Sequence, residues 1–193
     1  MAHGDHDDHD HSHPQSHSHS HGHGHGHGPA HEHRATSPTS VATFVVTCSD
    51  TRDAKTDEGG ALAKRMLESA GHPVTGTLVI PDEAAAIREA LEKALAAGAR
   101  AVIFTGGTGL ARRDVTVDTL EPLFERTLPG FGELFRMLSW EQVGSAAMLS
   151  RAGAGVVKGA AVFALPGSPR GVSLALERLI LPELGHLVRE LSR

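Results

Sequence analysis

A glycine-rich loop carries the clearest chemical signal in this sequence. Residues 105–109 read Thr-Gly-Gly-Thr-Gly and follow a short apolar run. Glycines let the backbone approach a ligand closely and adopt positive φ, so that successive amides can point at an anion. The loop has neither the Gly-Lys-Ser/Thr of a Walker A loop nor the G-x-G-x-x-G spacing of a dinucleotide site. An ordinary strand-to-helix turn is the alternative, but the threonine hydroxyls and the charged residues that follow favour phosphate binding by Thr105, Gly106, Gly107, Thr108 and Gly109.

Charged residues come directly after this loop. Arg112 and Arg113 can neutralise phosphate oxygens, and Asp114 can hold Mg²⁺, which prefers carboxylate, phosphate and water ligands. Alternatively, Asp114 is the N-cap of a helix that begins near Thr116. A cap needs only one acid or hydroxyl, so it leaves the arginines unexplained. The segment therefore predicts a phosphate site that uses Mg²⁺ and includes Thr116, whereas Asp118 is expected to be a solvated acid.

Polar residues also follow other predicted strands. Asp82 stands two positions after the end of a predicted strand at 74–80, and taken alone it would be interpreted as a helix N-cap. Its expected position on the same sheet edge as the glycine loop keeps a catalytic role open. Two further junctions add amides, hydroxyls and a cation; they contain Ser145, Ser150 and Arg151, and Gly167 and Ser168. Several such junctions on one edge favour an elongated, phosphate-bearing ligand over a small neutral one.

The apolar patterns predict alternating strands and helices that would position these residues. Strands are expected at 41–47, 74–80, 101–105 and 160–165, because these runs are short and apolar. Helices are expected at 58–70, 83–97, 116–124, 131–140 and 172–191, the last kinked or split by Pro182. This alternation predicts an α/β fold with a mostly parallel sheet flanked by helices on both faces. Ligands of such folds bind at the carboxyl ends of the strands, where the polar loops fall.

Composition divides the chain into two parts. Thirteen of the 15 histidines lie in the first 33 of the 193 residues, and residues 1–34 carry −4 of the formal net charge of −5. The near-neutral body argues against a nucleic-acid binder, because phosphate neutralisation needs a basic face. A single cysteine, Cys48, excludes an internal disulfide framework and a Cys-rich metal site. No apolar run is long enough for a membrane span and the start does not resemble a secretory signal, so a cytoplasmic location is expected.

The histidine-rich segment has expected properties of its own. Residues 1–40 are expected to form a disordered tail and linker, because almost no apolar side chains offset the entropy of ordering. Residues 41–193 are expected to form one folded domain. Neutral imidazoles bind zinc and nickel, so metal buffering is one interpretation; a solvated tail that binds metal through its composition alone is the other. The candidate zinc or nickel ligands are His3, His6, His9, His11, His13, His17, His19, His21, His23, His25 and His27.

Five blocks of the body, together with the glycine loop, resemble a known family. They are residues 113–116 (RDVT), 129–133 (PGFGE), 135–139 (FRMLS), 144–151 (GSAAMLSR) and 166–168 (PGS). In this order they closely resemble the molybdenum cofactor biosynthesis protein B family, which belongs with the molybdopterin adenylyltransferases. The resemblance covers residues 41 to about 191 and leaves the tail outside.

The resemblance implies a fold, an assembly and a reaction. The fold would be the molybdopterin-binding α/β sandwich, assembled as a homotrimer or homohexamer. The reaction would transfer AMP from Mg-ATP to the terminal phosphate of molybdopterin and release pyrophosphate. Molybdopterin, ATP and other molybdenum cofactor enzymes are thus expected as partners, and neither nucleic acid nor a membrane is. By motif match, Asp114 is implied as the catalytic, Mg²⁺-binding aspartate and Asp82 as the second aspartate, with Ser145, Ser150 and Arg151 on the pterin side.

One departure from the family pattern leaves an alternative open. Many clear adenylyltransferases carry proline where this sequence has Val117. The chain is therefore expected to be a nucleotidyltransferase, with a non-catalytic molybdopterin-binding or carrier protein as the alternative. The two acids at the predicted site favour the transferase, because binding an anionic pterin gains nothing from carboxylates.

Overall fold

The structure, a computed structural model, describes residues 37–53 and 55–193. The predicted disorder of the tail and the metal ligands proposed between His3 and His27 lie outside these residues. Within the described part, Val41 is already buried and the first strand begins at Thr43.

A six-stranded mixed sheet forms the centre of the described chain. Its strands are β1 (Thr43–Cys48), β2 (Val74–Ile80), β3 (Ala101–Thr105), β4 (Arg126–Thr127), β5 (Gly153–Val157) and β6 (Ala160–Leu165), in the order β2-β1-β3-β6-β5-β4. The pairs β1–β2, β1–β3 and β3–β6 are parallel, whereas β5 is antiparallel to β6 and β4 to β5. The predicted α/β fold with a mostly parallel sheet is confirmed.

Helices cover both faces of this sheet. Those described are α1 (Glu58–Ser69), α2 (Ala84–Ala96), α3 (Thr116–Leu120), α4 (Pro129–Val143), α5 (Pro169–Ala175) and α6 (Leu181–Leu191). One face, which includes Val45 and Ile103, packs against α1, α4, α5 and α6. The other face, with Val46 and Phe104, packs against α2 and α3. None of these helices is long and apolar enough to cross a membrane.

Two predicted helices have other bounds in the structure. The helix expected at 116–124 ends at Leu120 and continues as a short 3₁₀ turn, Glu121–Leu123. Pro122 stands in that turn, and proline does not fit a helix interior. The helix expected at 131–140 is longer at both ends and stops at Gly144, whose φ of +59° ends a helix readily.

β4 and β5 are not predicted by the sequence pattern. β5 and β6 form an antiparallel hairpin with the two-residue turn Lys158-Gly159, whose φ values are 48° and 74°. Positive φ at both positions matches the twist of the paired strands. The Lys-Gly pair between two apolar runs is a sequence signal for this hairpin. β4 has only two residues, so it has no recognisable sequence pattern.

The chain ends in a helical run that contains a π-helical segment, Leu176–Ile180, between α5 and α6. Pro182 lies in the first turn of α6 and has no backbone N–H to donate. In the wider π turn before it, the Leu181 amide donates to Leu176 O, five residues back. The expected kink at Pro182 thus takes the form of a π-helical turn.

Candidate functional site

The carboxyl ends of four neighbouring parallel strands meet at one edge of the sheet. In register, Cys48 pairs with Ile80, Thr47 with Thr105, and Thr105 with Leu165. The loops that follow β1, β2, β3 and β6 therefore start side by side. The predicted ligand edge is present, and it gathers the glycine loop, the loop after β2 and the Pro-Gly-Ser junction after β6.

The glycine loop takes a conformation that suits glycine alone. Gly106 and Gly107 have φ of +94° and +62°, in the left-handed region where a side chain is strained. A Cβ on Gly106 would overlap the Cys48 carbonyl oxygen. A Cβ on Gly107 would overlap the Thr116 hydroxyl and lie 2.8 Å from Asp82 Oδ1. The loop thus packs against backbone at Gly106 and against two predicted site residues at Gly107.

Asp82 does not cap a helix. α2 begins after Glu83 and no side chain caps its N-terminus, so the N-cap interpretation is wrong. Asp82 Oδ1 is buried and has no hydrogen-bond partner among the described residues. Burial, together with the nearby charges of Asp50 and Asp114, raises the pKa of the Asp82 carboxyl above its usual value. Asp82 is thus a half-buried carboxylate with one buried oxygen that is unused among the described residues, and two other acids lie nearby. A bound cation would stabilise such a group.

Asp114 is not a helix cap either. Val115 is the N-cap residue of α3, and no side chain bonds to that helix end. The Asp114 carboxylate stays in its own loop, where Oδ2 accepts from the Ala111 amide at 2.8 Å. Its charge contributes to the raised pKa of Asp82. The structure therefore brings the two aspartates predicted to be catalytic to one site.

A buried polar chain runs on the other face of the sheet beside the same loop. Thr105 Oγ1 donates to Thr47 Oγ1 at 3.2 Å, and Thr47 Oγ1 donates to Asp57 Oδ2 at 2.6 Å. Asp57 Oδ1 accepts from the Gly60 amide in the first turn of α1 at 2.9 Å. Both Asp57 oxygens and both hydroxyls are hydrogen-bonded, so this chain ties β1 and β3 to α1. The hydroxyl of Thr105, which the sequence assigns to phosphate binding, is fully buried within it.

Arg151 is bound to the segment that follows the glycine loop. Its Nε donates to Gly109 O at 2.8 Å, its Nη2 donates to Asp114 O, and its Nη1 pairs with the Asp118 carboxylate at 2.8 and 2.9 Å. The Arg151 amide also donates to Thr108 O at 3.2 Å. The Asp118 side chain is 62% exposed, as expected for a solvated acid, and it is also ion-paired. The arginine expected on the pterin side is engaged with the protein itself.

The hydroxyls of two predicted site serines bond to nearby backbone. Ser168 is the N-cap of α5 and accepts from the Gly171 amide at 3.2 Å. Ser150 Oγ accepts from the Ala152 amide at 3.3 Å. Ser145, in the 3₁₀ segment after α4, is exposed. Ser150 and Ser168 thus bond to backbone within three residues of themselves.

Known proteins share this architecture. A family described as a probable molybdopterin binding domain matches residues 44–186.

The chain belongs to this molybdopterin-binding family.

Individual relatives match across nearly their whole length. Molybdenum cofactor biosynthesis protein B of Bacillus subtilis is 47% identical over 168 residues, which cover 84% of this chain and 96% of the relative. A solved molybdenum cofactor biosynthesis protein B has a TM-score of 0.76 at 44% identity and covers 81% of this chain and 98% of that one. The tungsten cofactor synthesizing protein MoaB from Pyrococcus furiosus has a TM-score of 0.74 at 36% identity, covering 81% and 99%. The family and fold implied by the sequence blocks are confirmed.

The loop after β1 gives this family member two contacts that the sequence did not assign. Asp50 Oδ1 accepts from the Asp82 amide at 3.0 Å, and Arg52 Nη1 donates to Gly167 O at 2.9 Å. Both residues follow the first strand, at the predicted ligand edge. The position of these residues after a strand predicts that they lie at the ligand edge of the sheet. It does not predict which side chains of the loop turn inward.

The cysteine of this family member lies next to the site and is buried. Cys48 is 3% exposed and belongs to the core on the α2 face. Burial raises the pKa of its thiol to about 12, so the reactive thiolate is scarce at neutral pH. Cys48 is thus a small buried hydrophobe of the core.

Proposed function

We propose that this chain acts in molybdenum cofactor biosynthesis as a nucleotidyltransferase that uses Mg-ATP to adenylylate the terminal phosphate of molybdopterin. One observation carries the proposal: Asp82 and Asp114, two aspartates that cap no helix, lie together beside a glycine loop at the sheet edge. The names of the relatives support the biosynthetic role. The acids support the transfer chemistry, because a pure pterin binder has no use for them.

The reaction needs no nucleophile from the protein. A phosphate monoester has a second pKa near 6, so the terminal phosphate of molybdopterin is mostly a dianion at neutral pH. One of its oxygens attacks the α-phosphorus of ATP. A new P–O bond forms, the bond from the α-phosphorus to the bridging oxygen breaks, and pyrophosphate leaves with the electron pair.

The protein's part is alignment and charge neutralisation. The Gly106 amide donates to Leu165 O at 2.9 Å. The amides that follow it in the glycine loop are suited to hold phosphate oxygens, because Gly107 adopts positive φ and carries no side chain that blocks approach. The exposed Arg113 guanidinium is suited to bind a phosphate, and its charge already acts on Asp82. These groups stabilise charge that spreads over the reacting phosphate.

Asp82 and Asp114 suit a Mg²⁺ ion that arrives with ATP. Mg²⁺ is usually held by one or two carboxylates together with phosphate oxygens and water. The buried Oδ1 of Asp82, which has no partner among the described residues, fits that need. No three or more His, Cys, Asp or Glu side chains of the described residues form a metal site by themselves, so the substrate phosphates would complete the ligand set. When bound, the ion would neutralise charge on the reacting phosphates.

Incubating the purified protein with molybdopterin, ATP and Mg²⁺ tests the proposal. We expect adenylylated molybdopterin by mass spectrometry, pyrophosphate in equal amount, and no product when EDTA removes the metal. Molybdopterin binding without product would contradict the transferase and support the non-catalytic binding or carrier protein that Val117 leaves open.

An exposed apolar stripe on α4 supports self-association, and we propose the homotrimer or homohexamer that the family resemblance implies. Leu134, Met137, Trp140 and Val143 follow one another every three residues and are 46% to 61% exposed. Trp140 is therefore not a core residue, and such a stripe is typical of an interaction surface. Sedimentation equilibrium is expected to give three or six times the chain mass of 20.3 kDa. A monomer at micromolar concentration would contradict this proposal.

For the histidine-rich tail we propose zinc or nickel binding that is independent of the transferase. Deleting residues 1–33 is expected to remove most of the zinc and nickel bound in equilibrium dialysis and to leave adenylylation unchanged. If the truncated chain binds as much metal as the full chain, the tail is not the metal site.

A further inference from the structure

Arg151 uses all three guanidinium nitrogens to hold one short loop. Nε donates to Gly109 O at 2.8 Å and Nη2 donates to Asp114 O, so Arg151 is hydrogen-bonded to the two residues that flank the loop 110–113. Nη1 faces both carboxylate oxygens of Asp118, in the first turn of α3, at 2.8 and 2.9 Å. One side chain thus joins the end of the glycine loop, the predicted catalytic aspartate and the helix that follows.

The loop 110–113 is otherwise held by turns within itself. Its residues are exposed, Leu110 by 67%. The Ala111 amide donates to Asp114 Oδ2 at 2.8 Å, and the Asp114 amide donates back to Ala111 O at 2.9 Å. Exposed segments with few buried contacts open locally at low free energy. Two residues after Asp114, the Thr116 amide donates to Gly107 O at 3.1 Å, and Arg151 supplies a long-range hydrogen bond to Asp114 itself.

The same contacts limit what the charge of Arg151 can do. The Asp118 carboxylate lies at ion-pair distance and offsets the positive charge, and the Arg151 side chain is only 28% exposed. The donors that point inward are engaged with backbone carbonyls. This arrangement suits a structural fork better than a phosphate ligand, and only a planar guanidinium serves three acceptors in this way.

We infer that Arg151 is a positioning residue, which fixes Gly109 and Asp114 for the reaction while Asp118 orients its guanidinium. The catalytic consequence rests on the proposed function, since the position of Asp114 matters only if Asp114 takes part in transfer. The inference differs from the sequence-based expectation that Arg151 lines the pterin side of the site.

Kinetics of Arg151→Lys and Asp118→Asn test the inference, with Arg88→Lys on the exposed face of α2 as the matched control. We expect kcat to fall about 100-fold in Arg151→Lys, because small misplacements of a reacting group cost that much. In Asp118→Asn we expect a fall of about fivefold, the effect of losing one part-exposed ion pair. KM for molybdopterin should stay within about twofold of the wild-type value in both, because binding and positioning are separate. A raised KM with unchanged kcat would show that Arg151 is a ligand and overturn the inference.

Hydrogen–deuterium exchange of the amides at 109–114, measured on the full chain without substrates, gives a readout independent of activity. Exchange is expected to be faster in Arg151→Lys and Asp118→Asn and unchanged in Arg88→Lys. If Arg151→Lys does not fold, Asp118→Asn, which keeps both backbone contacts, carries the test. Faster exchange with an inactive wild-type protein would support the positioning role and refute the proposed function. Unchanged exchange in both variants would overturn the positioning role, whatever the activity.

Discussion

The two faces of the sheet beside the glycine loop each carry a threonine and an aspartate, but the hydrogen bonding of these side chains differs between the faces. On the α1 face, Thr47 and Asp57 are hydrogen-bonded to each other and to their neighbours. On the α2 face, Thr116 Oγ1 and Asp82 Oδ1 are buried without a partner among the described residues. A threonine and an aspartate occur on each face, so residue type does not separate the two. The two faces are separated by their hydrogen bonding. Polar groups that are hydrogen-bonded within the protein stabilise the fold, whereas buried polar groups without a partner mark the site where a ligand would supply one.

The largest effect is expected at the unsatisfied aspartate. Asp82→Asn should lower kcat by roughly 100- to 1,000-fold, the usual cost of losing one charge-stabilising group. Its free energy of unfolding should stay level or rise by roughly 0.5–1 kcal/mol, because the amide removes repulsion from Asp50 and Asp114. Turnover and urea unfolding measure the two effects. A strong loss of stability would place Asp82 among the structural residues and break the comparison.

The opposite result is expected at Gly60, beside the satisfied aspartate. A Cβ on Gly60 would overlap Asp57 Oδ2 and Thr47 Oγ1. Gly60→Ala should therefore lower the free energy of unfolding by about 2–3 kcal/mol through overpacking, with turnover per folded molecule unchanged. Urea unfolding and an activity assay on the folded fraction check this. Full stability in Gly60→Ala would show that the network tolerates a shift.

One substitution made on each face sharpens the contrast. Thr47→Val leaves Asp57 Oδ2 and the Thr105 hydroxyl without a partner, so it should cost about 1–2 kcal/mol of stability. Thr116→Val replaces a hydroxyl that has no partner among the described residues beyond a weak interaction with the Cys48 thiol, so stability should change by less than about 0.5 kcal/mol while turnover falls. Thermal unfolding and kinetics of both variants give the comparison. Equal losses of stability in the two would contradict the proposed difference between the faces.

The smallest effect concerns His72, a satisfied group that titrates. His72 is 6% exposed, and its Nδ1 accepts from the Val41 amide at 3.2 Å. Burial lowers its pKa below the usual value of about 6.5. The folded state therefore favours the neutral ring. The contribution of neutral His72 to the free energy of unfolding is complete above about pH 6.5 and is lost as pH falls through the lowered pKa.

Urea unfolding between pH 8 and pH 5 measures that dependence. His72→Asn keeps an acceptor for the Val41 amide but does not titrate, so its stability should fall less over this range. Identical pH dependence of the variant and the wild-type protein would remove His72 from the account.

The sequence predicts the sheet better than the side-chain states at its edge. The runs at 74–80, 101–105 and 160–165 correspond to β2, β3 and β6. β3 and β6 are buried throughout and are therefore apolar on both faces, whereas the edge strand β2 exposes Thr75 and Thr77. The short β4 and the glycine-rich β5 lack that signal.

Whether a polar side chain is already hydrogen-bonded within the protein depends on which face of the strand it occupies and on partners far along the chain. Thr105 and Phe104 are neighbours, but alternation along β3 turns Thr105 toward α1 and Phe104 toward α2. Arg151 meets Asp118 across 33 residues. Local spacing places both residues at the correct edge, and only the tertiary structure shows that Thr105 and Arg151 are already engaged with the protein.

The most direct test of the account compares Asp114→Ala with the wild-type protein for both turnover and molybdopterin binding. We predict that adenylylation falls at least about 100-fold, because a charge-stabilising group at the reacting phosphates is lost. The dissociation constant for molybdopterin should change by no more than about threefold, since a carboxylate adds nothing to the binding of an anion. Unchanged turnover in Asp114→Ala would contradict the account, because the acids gathered at the glycine loop would then have no part in the chemistry.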